Sequence, residues 1–122
     1  MLLDSNIIIY AAKPEYAALL DLIAKHAPAV SAISRVEVLG YHLLTQPDRR
    51  NFEDFFAAST ILPISDTVVS KAIELRQTRK LKLGDALIAG TALTHGLTLI
   101  TRNFADFQWI AGLSLLNPFA EK

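Results

Sequence analysis

Short apolar runs alternate with amphipathic stretches along the chain, beginning with "MLLDSNIIIYAA". Short apolar runs bounded by turn residues are typical of buried strands, whereas apolar positions that recur every three to four residues predict helices. The predicted strands are "MLLD", "AVSAI", "TILPIS", "LTLIT" and "LSLL". Their alternation with helices predicts an α/β fold. Because these strands are almost wholly apolar, we expect helices to cover both faces of the sheet.

The predicted helices lie between these strands and carry recognisable start and stop signals. Pro14 begins one helix, Asp66 is a candidate N-cap, and Gly96 marks a C-terminal stop. The predicted helical ranges are 5–13 (a helix or a turn), 14–26, 34–45, 48–59, 66–80 and 84–96. We find no repeat, low-complexity tract or linker, and therefore expect a single domain over residues 1–122.

Composition narrows the class of protein without identifying a substrate. The chain is 52% hydrophobic, so it can bury a sizeable core, and its 12 basic residues balance its 12 acidic residues. Any contact with nucleic acid must therefore come from a local basic patch. The absence of cysteine excludes disulfides, thiolate zinc sites and cysteine nucleophiles. With no apolar run near the roughly 20 residues that cross a bilayer and no basic leader, we expect a soluble, unprocessed, cytoplasmic protein.

Polar side chains interrupt the apolar pattern where the first strand ends. Asp4 and Asn6 follow that strand directly, at the edge of the sheet where α/β proteins bind ligands. The alternative is a local role for Asp4, as an Asx turn or a helix cap. One residue cannot decide between these interpretations.

A second acid, Glu37, lies in "SRVEVLG". The spacing from Ser34 to Glu37 matches a capping box, in which the serine caps the helix and the glutamate bonds back to it. On a helical wheel Glu37 also sits at the edge of the apolar stripe, so its carboxylate can lean toward the rim of the core. The two roles are compatible.

The third acid, Asp85, is the least expected polar residue in the chain. It stands near the start of "GDALIAGTAL", a helix that is apolar nearly all round, in line with Ala89 and Ala92. A helix N-terminus favours an anion, so a simple N-cap role is one interpretation. The small residues around it favour the other, a helix packed tightly against the sheet with its acid at the sheet's end.

A last polar cluster, "TRNFAD", follows the apolar run "LTLI" directly. Strand ends and adjoining helix starts therefore carry Asp4, Glu37, Asp85, and Asn103 or Asp106. Several carboxylates in one small site raise each other's pKa unless a cation balances them. Oxygen ligands without cysteine or clustered histidine favour Mg²⁺ or Mn²⁺, and such sites suit phosphodiester cleavage.

These motifs together resemble the PIN domain, and specifically the VapC-type toxins of bacterial and archaeal toxin-antitoxin pairs. The resemblance covers almost the whole chain, in the family's order and spacing: "LLDSNIII", "ISRVEVL", "KLKLGDALIAGTAL", "LTLITRNFADF" and "GLSLLNP". It implies a three-layer α/β/α sandwich with a central, mostly parallel sheet. It also implies a metal-dependent endoribonuclease that is often a homodimer and is neutralised by a small VapB-like antitoxin. The implied metal-binding acids are Asp4, Glu37 and Asp85, with Asn6 and Thr101 as polar supports.

The chain departs from the family pattern at two positions. Many relatives have an aspartate directly after the "TR" pair, whereas this chain has Asn103, and its next acid is Asp106. Asn103 can hold a metal or its water only as a neutral ligand, which puts a two-metal site in doubt. Gly84 stands where relatives often have proline, and we expect this to loosen the helix start without affecting the chemistry.

An RNA substrate also needs a cationic approach to the acids. The segment "RQTRKLK" supplies Arg76, Arg79, Lys80 and Lys82 just before Asp85, and Arg102 follows the fourth predicted strand. Such phosphate contacts position a strand without reading its sequence. The alternative for the basic segment is a solvated helix face.

Other functions of this fold class fit the sequence less well. A phosphoacceptor receiver domain needs a second acid beside Asp4 and a lysine after a late strand, and the chain has neither. A hydrolase with Asp4 as phosphoryl acceptor needs an aspartate at position 6, where Asn6 stands. The stronger alternative is a non-catalytic PIN-like module that binds RNA or a partner, suggested by Asn103.

Overall fold

A five-stranded parallel sheet forms the centre of the computed structural model, which describes residues 1–119. The strands are β1 (Leu2–Leu3), β2 (Ala29–Ser31), β3 (Ile61–Leu62), β4 (Leu99–Ile100) and β5 (Leu115–Leu116). Their order across the sheet is β3-β2-β1-β4-β5. The prediction of a mostly parallel α/β sheet is confirmed, since every pair among these strands is parallel.

The strand order reverses beside β1, and this reversal positions the site. From β1 the chain moves outward to β2 and β3, then returns past β1 to form β4 and β5. The loops after β1 and β4 therefore leave the sheet in opposite directions, which opens a crevice between them at the carboxyl ends. Asp4 follows β1 and Thr101 follows β4, so both lie at this crevice.

Helices cover both faces of the sheet, as the three-layer prediction requires. Within residues 1–119 they are α1 (Ser5–Ala11), α2 (Ala17–His26), α3 (Ala32–Leu39), α4 (Gln46–Ala57), α5 (Asp66–Thr78), α6 (Leu83–His95) and α7 (Phe104–Phe107), with a 3-10 turn at Pro14–Tyr16. No helix in this part of the chain is both long and apolar enough to cross a bilayer.

Alternating strand residues explain the two cores. Leu3 and Ile100 pack into the cluster beneath α1, α2 and α4, whereas Leu2 and Leu99 pack into the cluster beneath α6. All four side chains are fully buried. Successive residues of a strand point to opposite faces, so both faces must be covered. Each buried leucine or isoleucine contributes about 1.5–3 kcal/mol.

Several predicted helix boundaries are wrong for identifiable reasons. The helix predicted at 34–45 begins at Ala32 and ends at Leu39, because Ser31 ends β2 and caps the helix by accepting a hydrogen bond from the Ile33 amide. Asp66 is not the N-cap of α5, since Ser65 accepts the capping bond from the Val68 amide. Two further differences concern α4 and α7. The helix predicted at 48–59 begins at Gln46, and the one-turn helix α7 was not predicted.

Other local signals are confirmed. Gly96 ends α6 in the left-handed conformation at φ 63°, which a residue with a side chain adopts less readily. Gly90 lies where α6 approaches α5, and a Cβ there would be 2.9 Å from the Val68 carbonyl oxygen. Gly90 thus permits close packing of α6 against α5, whereas the predicted packing against the sheet is made by Ala89 and Ala92, which cluster with Leu2 and Leu99.

Candidate active site

Asp4 is anchored across the sheet rather than to its own helix. It occupies the N-cap position of α1, but its side chain makes no capping hydrogen bond. Instead Thr101 Oγ1 donates a hydrogen bond to Asp4 Oδ2 at 2.8 Å, and the two residues are 4% and 0% exposed. Burying a charge is costly unless it is paired or hydrogen-bonded. The contact therefore joins the ends of β1 and β4, so the role of Asp4 extends beyond a local cap of α1.

The charge of Asp4 is only partly compensated. Burial raises the pKa of Asp4 above its ordinary value, and the negative charge of Glu37 adds to the rise. The hydrogen bond from Thr101 and the backbone amides of Ser5 and Asn6 oppose it without cancelling it. Such an acid is stabilised by any additional positive charge at its side.

Glu37 is held by a serine from another helix. It lies on α3, which packs against both α1 and α6, and Ser5 Oγ on α1 donates a hydrogen bond to Glu37 Oε1 at 2.7 Å. Ser5 Oγ also lies 2.9 Å from Ser34 Oγ, and both serines are buried. The Ser34–Glu37 capping box is therefore wrong, because the helix begins before Ser34 and the cap is Ser31. Glu37 is instead directed toward the start of α1, beside Asp4.

Asp85 has no partner to offset its charge. It is the third residue of α6, it is half-buried, and within residues 1–119 its side chain makes no hydrogen bond or ion pair. An N-cap role is excluded, since Lys82 occupies that position. Burial raises the pKa of Asp85 to about 6, helped by the negative charges of Asp4, Asp106 and Glu37 and opposed by Lys82. Asp4, Glu37 and Asp106 thus all lie within electrostatic range of Asp85.

Gly84 is in contact with this acid cluster. A Cβ at position 84 would overlap the carboxylate of Glu37. From the sequence we expect an effect on the helix start alone, but the structure places this position against an acid of the site. The missing side chain allows Glu37 to lie close to the first turn of α6.

The polar residues after β4 form one connected group. The Asn103 amide donates a hydrogen bond to Thr101 Oγ1 at 3.0 Å, so Thr101 bridges Asn103 and Asp4. Asn103 Nδ2 donates to Asp106 Oδ2. Asp106 lies on α7 and raises the pKa of Asp85 through its charge. The acid three residues beyond Asn103 therefore does turn back toward the site.

The acids are neighbours but do not form a closed ligand cage. Among the described residues, no three His, Asp or Glu side chains converge tightly enough to form a metal-binding group. Asp4 lines one cavity, Asp85 and Asp106 line a second, and Glu37 lines a third. The donor set itself fits a hard cation: carboxylate and amide oxygens, with no cysteine in the chain. A cation bound among these carboxylates would offset the repulsion between their charges.

Basic residues surround the Asp85 side of the cluster. A cavity of about 380 Å³ is lined by Asp85, Asp106 and Trp109 together with the cations of the "RQTRKLK" segment: Arg76, Arg79, Lys80 and Lys82. Arg79 stacks over Trp109 at 4.9 Å from the ring centroid, and Arg76 Nε donates to the Leu81 carbonyl at 3.1 Å. These contacts fix two of the four cations at the site. Asn6 and Arg102 line the separate cavity at Asp4.

Sequence reasoning missed the residues that support the acids. Ser5 stands beside Asp4 in the sequence, yet only the packing of α1 against α3 reveals its bond to Glu37. The stacking of Arg79 on Trp109 and of Arg102 on Tyr10 likewise joins residues far apart in the chain, so no local pattern indicates it. A serine directly after a strand-end acid was the one available signal.

The chain belongs to the PIN domain family, whose model matches residues 1–112. The fold and the strand-end acids described above agree with this assignment. The expected resemblance is confirmed.

Solved structures similar to this chain include toxin-antitoxin complexes. A toxin-antitoxin complex from Klebsiella pneumoniae contains a chain of 31% identity and TM-score 0.76, with 97% of each chain covered. VapBC2 from Rickettsia felis, bound to a DNA fragment from its promoter, gives 26% identity and TM-score 0.78, covering 95% of this chain and 96% of the other. Ribonuclease VapC1 of Rickettsia felis is 56% identical over 32 residues. That match spans 26% of this chain and about a quarter, 24%, of the relative.

Proposed function

We propose that this protein is a metal-dependent endoribonuclease that hydrolyses RNA phosphodiester bonds, the toxin of a VapBC-type toxin-antitoxin pair. It acts in the cytoplasm, forms a homodimer and is neutralised by a VapB-like antitoxin. Membership of the PIN family and similarity to toxin-antitoxin complexes over nearly the full chain support this function. The observation that carries it is the fixing of Asp4 by Thr101 and of Glu37 by Ser5 beside the carboxyl ends of β1 and β4.

The donor set supports Mg²⁺ or Mn²⁺ as the cofactor. Asp4, Glu37 and Asp85 would hold the ion, with Asn103 and Asp106 as further candidate ligands. Hard oxygen donors favour these ions over zinc. A bound dication would supply positive charge for the phosphate oxygens and would make an attacking water more acidic.

The residues of the chain itself orient the acids for this role. Thr101 holds the Asp4 carboxylate at the junction of β1 and β4, and Ser5 holds the Glu37 carboxylate beside it. Because both bonds join elements distant in sequence, the acids keep their relative positions as long as the sheet and α3 remain packed. Preorganised groups of this kind lower the cost of assembling the site around the substrate.

The basic cavity beside Asp85 supports RNA binding. Arg76, Arg79, Lys80 and Lys82 line the same cavity as two of the acids, although the chain carries no net formal charge. Cations placed there attract the phosphate backbone and compensate the acids that would otherwise repel it. Contacts of this type position RNA without selecting its sequence.

Incubation of the purified protein with structured RNAs, with and without Mn²⁺, tests the proposed function. We expect cleavage only when the metal is present, and a loss of about 100-fold or more in Asp4→Asn. This substitution keeps an oxygen that can accept the Thr101 hydrogen bond, so the fold should survive. Equal cleavage by the wild type and the variant would show contaminating nuclease and remove the proposal.

A second candidate function is a non-catalytic module that binds RNA or a partner. It is favoured by Asn103, which stands where many relatives have an aspartate. Its side-chain amide donates a hydrogen bond to Asp106. The same experiment separates the two functions. RNA that is bound but remains intact with Mn²⁺ would favour the module.

A further inference from the structure

Arg102 is held by an aromatic cluster at the mouth of the Asp4 cavity. Its guanidinium carbon lies 4.4 Å from the ring centroid of Phe119 and 5.2 Å from that of Tyr10. The rings of Tyr10, Tyr16 and Phe119 pack edge to face, with centroids 5.2–5.8 Å apart. We call these three rings the aromatic platform. Arg102 follows Thr101 directly, so the platform fixes a cation next to the residue that holds Asp4.

The guanidinium is stacked but not neutralised. Within residues 1–119 no carboxylate lies within 4.0 Å of Arg102, and none of its N–H groups donates a hydrogen bond to the protein. The side chain is exposed and lines a cavity of about 280 Å³ with Asp4, Asn6, Tyr10 and Asn103. A guanidinium held over aromatic rings by cation–π contacts, with no hydrogen bond to the protein, keeps its N–H donors available for a bidentate acceptor.

We propose that Arg102, stacked on the aromatic platform, forms a phosphate-binding subsite at the Asp4 cavity, distinct from the basic cavity at Asp85. It binds a phosphate of the RNA strand next to the bond that is cut, and the side-chain amide of Asn6 supplies a neutral donor beside it. Phe119 is a positioning residue, so the chain after β5 is part of the RNA site. The inference deepens the proposed function and rests on it.

The arrangement of cations on two sides of the acids supports this subsite. Arg79 stacks on Trp109 in the cavity that contains Asp85 and Asp106, and Arg102 stacks on the platform in the cavity that contains Asp4. A strand cut at the acid cluster must continue on both sides of the scissile phosphate. Two fixed guanidinium groups, one in each cavity, can each hold a phosphate bidentately.

The test measures RNA binding without cleavage, in an Asp85→Asn background, because Asp85 does not line the Arg102 cavity. Fluorescence anisotropy with a labelled single-stranded RNA should show about tenfold weaker binding for Arg102→Ala. The slope of log Kd against log salt should fall by roughly 0.7, the value for one phosphate contact in single-stranded RNA. Arg102→Lys keeps the charge but not the planar fork and should bind with intermediate affinity.

Phe119 variants separate positioning from a merely structural role. Phe119→Ala should weaken binding about threefold to fivefold when Arg102 is present, and should add nothing in an Arg102→Ala background. Phe119→Tyr should restore binding, whereas Phe119→Leu, which keeps apolar packing, should not. If Phe119→Ala does not fold by circular dichroism, the comparison of Phe119→Leu with Phe119→Tyr decides. Arg50→Ala, an exposed arginine on α4 that lines neither cavity, is the matched control.

Two results would overturn this inference: unchanged RNA binding in Arg102→Ala, or an equal loss from Phe119→Ala with and without Arg102. Neither depends on cleavage. If the wild-type protein fails to cleave RNA, the proposed activity is wrong. If it cleaves RNA normally and Arg102→Ala binds RNA with unchanged affinity, only the proposed subsite is wrong.

Discussion

The two ends of the acid cluster are built in different ways. Asp4 lies at a strand end, is almost fully buried and accepts a hydrogen bond from Thr101 on the neighbouring strand. Asp85 lies in the first turn of a helix, is half-buried and has no hydrogen-bond or ion-pair partner in residues 1–119. The pKa of both is raised, and for Asp85 it reaches about 6.

This difference shows which part of the site the fold supplies on its own. The sheet fixes Asp4 through a contact between residues 97 positions apart. The helix places Asp85 among like charges, which Lys82 opposes only in part. We therefore expect substitutions around Asp4, at the end of β1, to be poorly tolerated. The charge state of Asp85, on α6, should instead depend on pH and on metal ions.

Removing the Thr101 hydroxyl removes the hydrogen bond that holds Asp4. Of the substitutions considered, we expect this one to have the largest effect on stability and cleavage. Thr101→Val keeps the shape but leaves a buried carboxylate and the Asn103 amide without their partner. We expect a loss of about 2–3 kcal/mol in the free energy of unfolding and a fall in cleavage of roughly 30-fold. Chemical denaturation and RNA cleavage assays measure these changes.

Thr91→Val is the matched control for that substitution. Thr91 is equally buried on α6, but its hydroxyl donates only to the Leu87 carbonyl of its own helix. We expect a change of about 1 kcal/mol or less and normal cleavage. Similar losses in both variants would mean that the Thr101–Asp4 bond has no special importance.

Gly84→Ala should disturb the contact between the first turn of α6, which carries Asp85, and Glu37. The new Cβ would overlap the Glu37 carboxylate, which lies at the end of a flexible side chain and can move aside. Stability should therefore change by less than about 1 kcal/mol, since alanine also favours the helix. Cleavage should fall about tenfold. In a Glu37→Gln background the same substitution should have little further effect on cleavage, and a full tenfold loss there would refute this explanation.

Asp85→Asn should change how the free energy of unfolding depends on pH. We expect this effect to be smaller than those of Thr101→Val and Gly84→Ala. The folded-state pKa of Asp85, about 6, lies above its unfolded value of 3.8, so the folded state binds more protons between these values. The Asp85 carboxylate therefore lowers the stability of the metal-free protein progressively as the pH rises from about 4 to 6. Above about pH 6 this destabilisation is complete. After allowance for solvent screening, Asp85→Asn should stabilise the metal-free protein by about 1 kcal/mol at pH 7.5 and hardly at pH 4.

Thermal unfolding of the metal-free protein at the two pH values measures this difference. Asp66→Asn is the control, because Asp66 is also in a helical first turn but is exposed. It should lose a few tenths of a kcal/mol through the helix dipole. Stabilisation by Asp85→Asn that is equal at both pH values would contradict the predicted proton linkage.

Much of the fold followed from local patterns. The apolar runs located all five strands because strands buried on both faces carry little else. Their limits were too wide where a local feature ends pairing, as at Pro63, which has no amide to donate beyond β3. A helix start was misplaced where two neighbouring residues could each serve as the N-cap, as with Ser65 and Asp66 at the start of α5.

The site was predictable only in part, for a physical reason. Strand ends meet at one edge of a parallel sheet, so the positions of Asp4 and Thr101 could be anticipated. The bond from Ser5 to Glu37 and the stacking of Arg102 on Phe119 depend on how helices and the last segment pack. No periodicity encodes such contacts between distant residues.

We propose that Asp4, Glu37 and Asp85 share one divalent cation. Titration of the purified protein with Mn²⁺ at pH 7.5, followed by electron paramagnetic resonance, tests this in the wild type, Asp4→Asn, Glu37→Gln and Asp85→Asn. We expect a saturable site whose affinity falls by about tenfold or more in each variant. Wild-type affinity in all three variants, or a loss confined to one of them, would show that the acids do not act on a common ion.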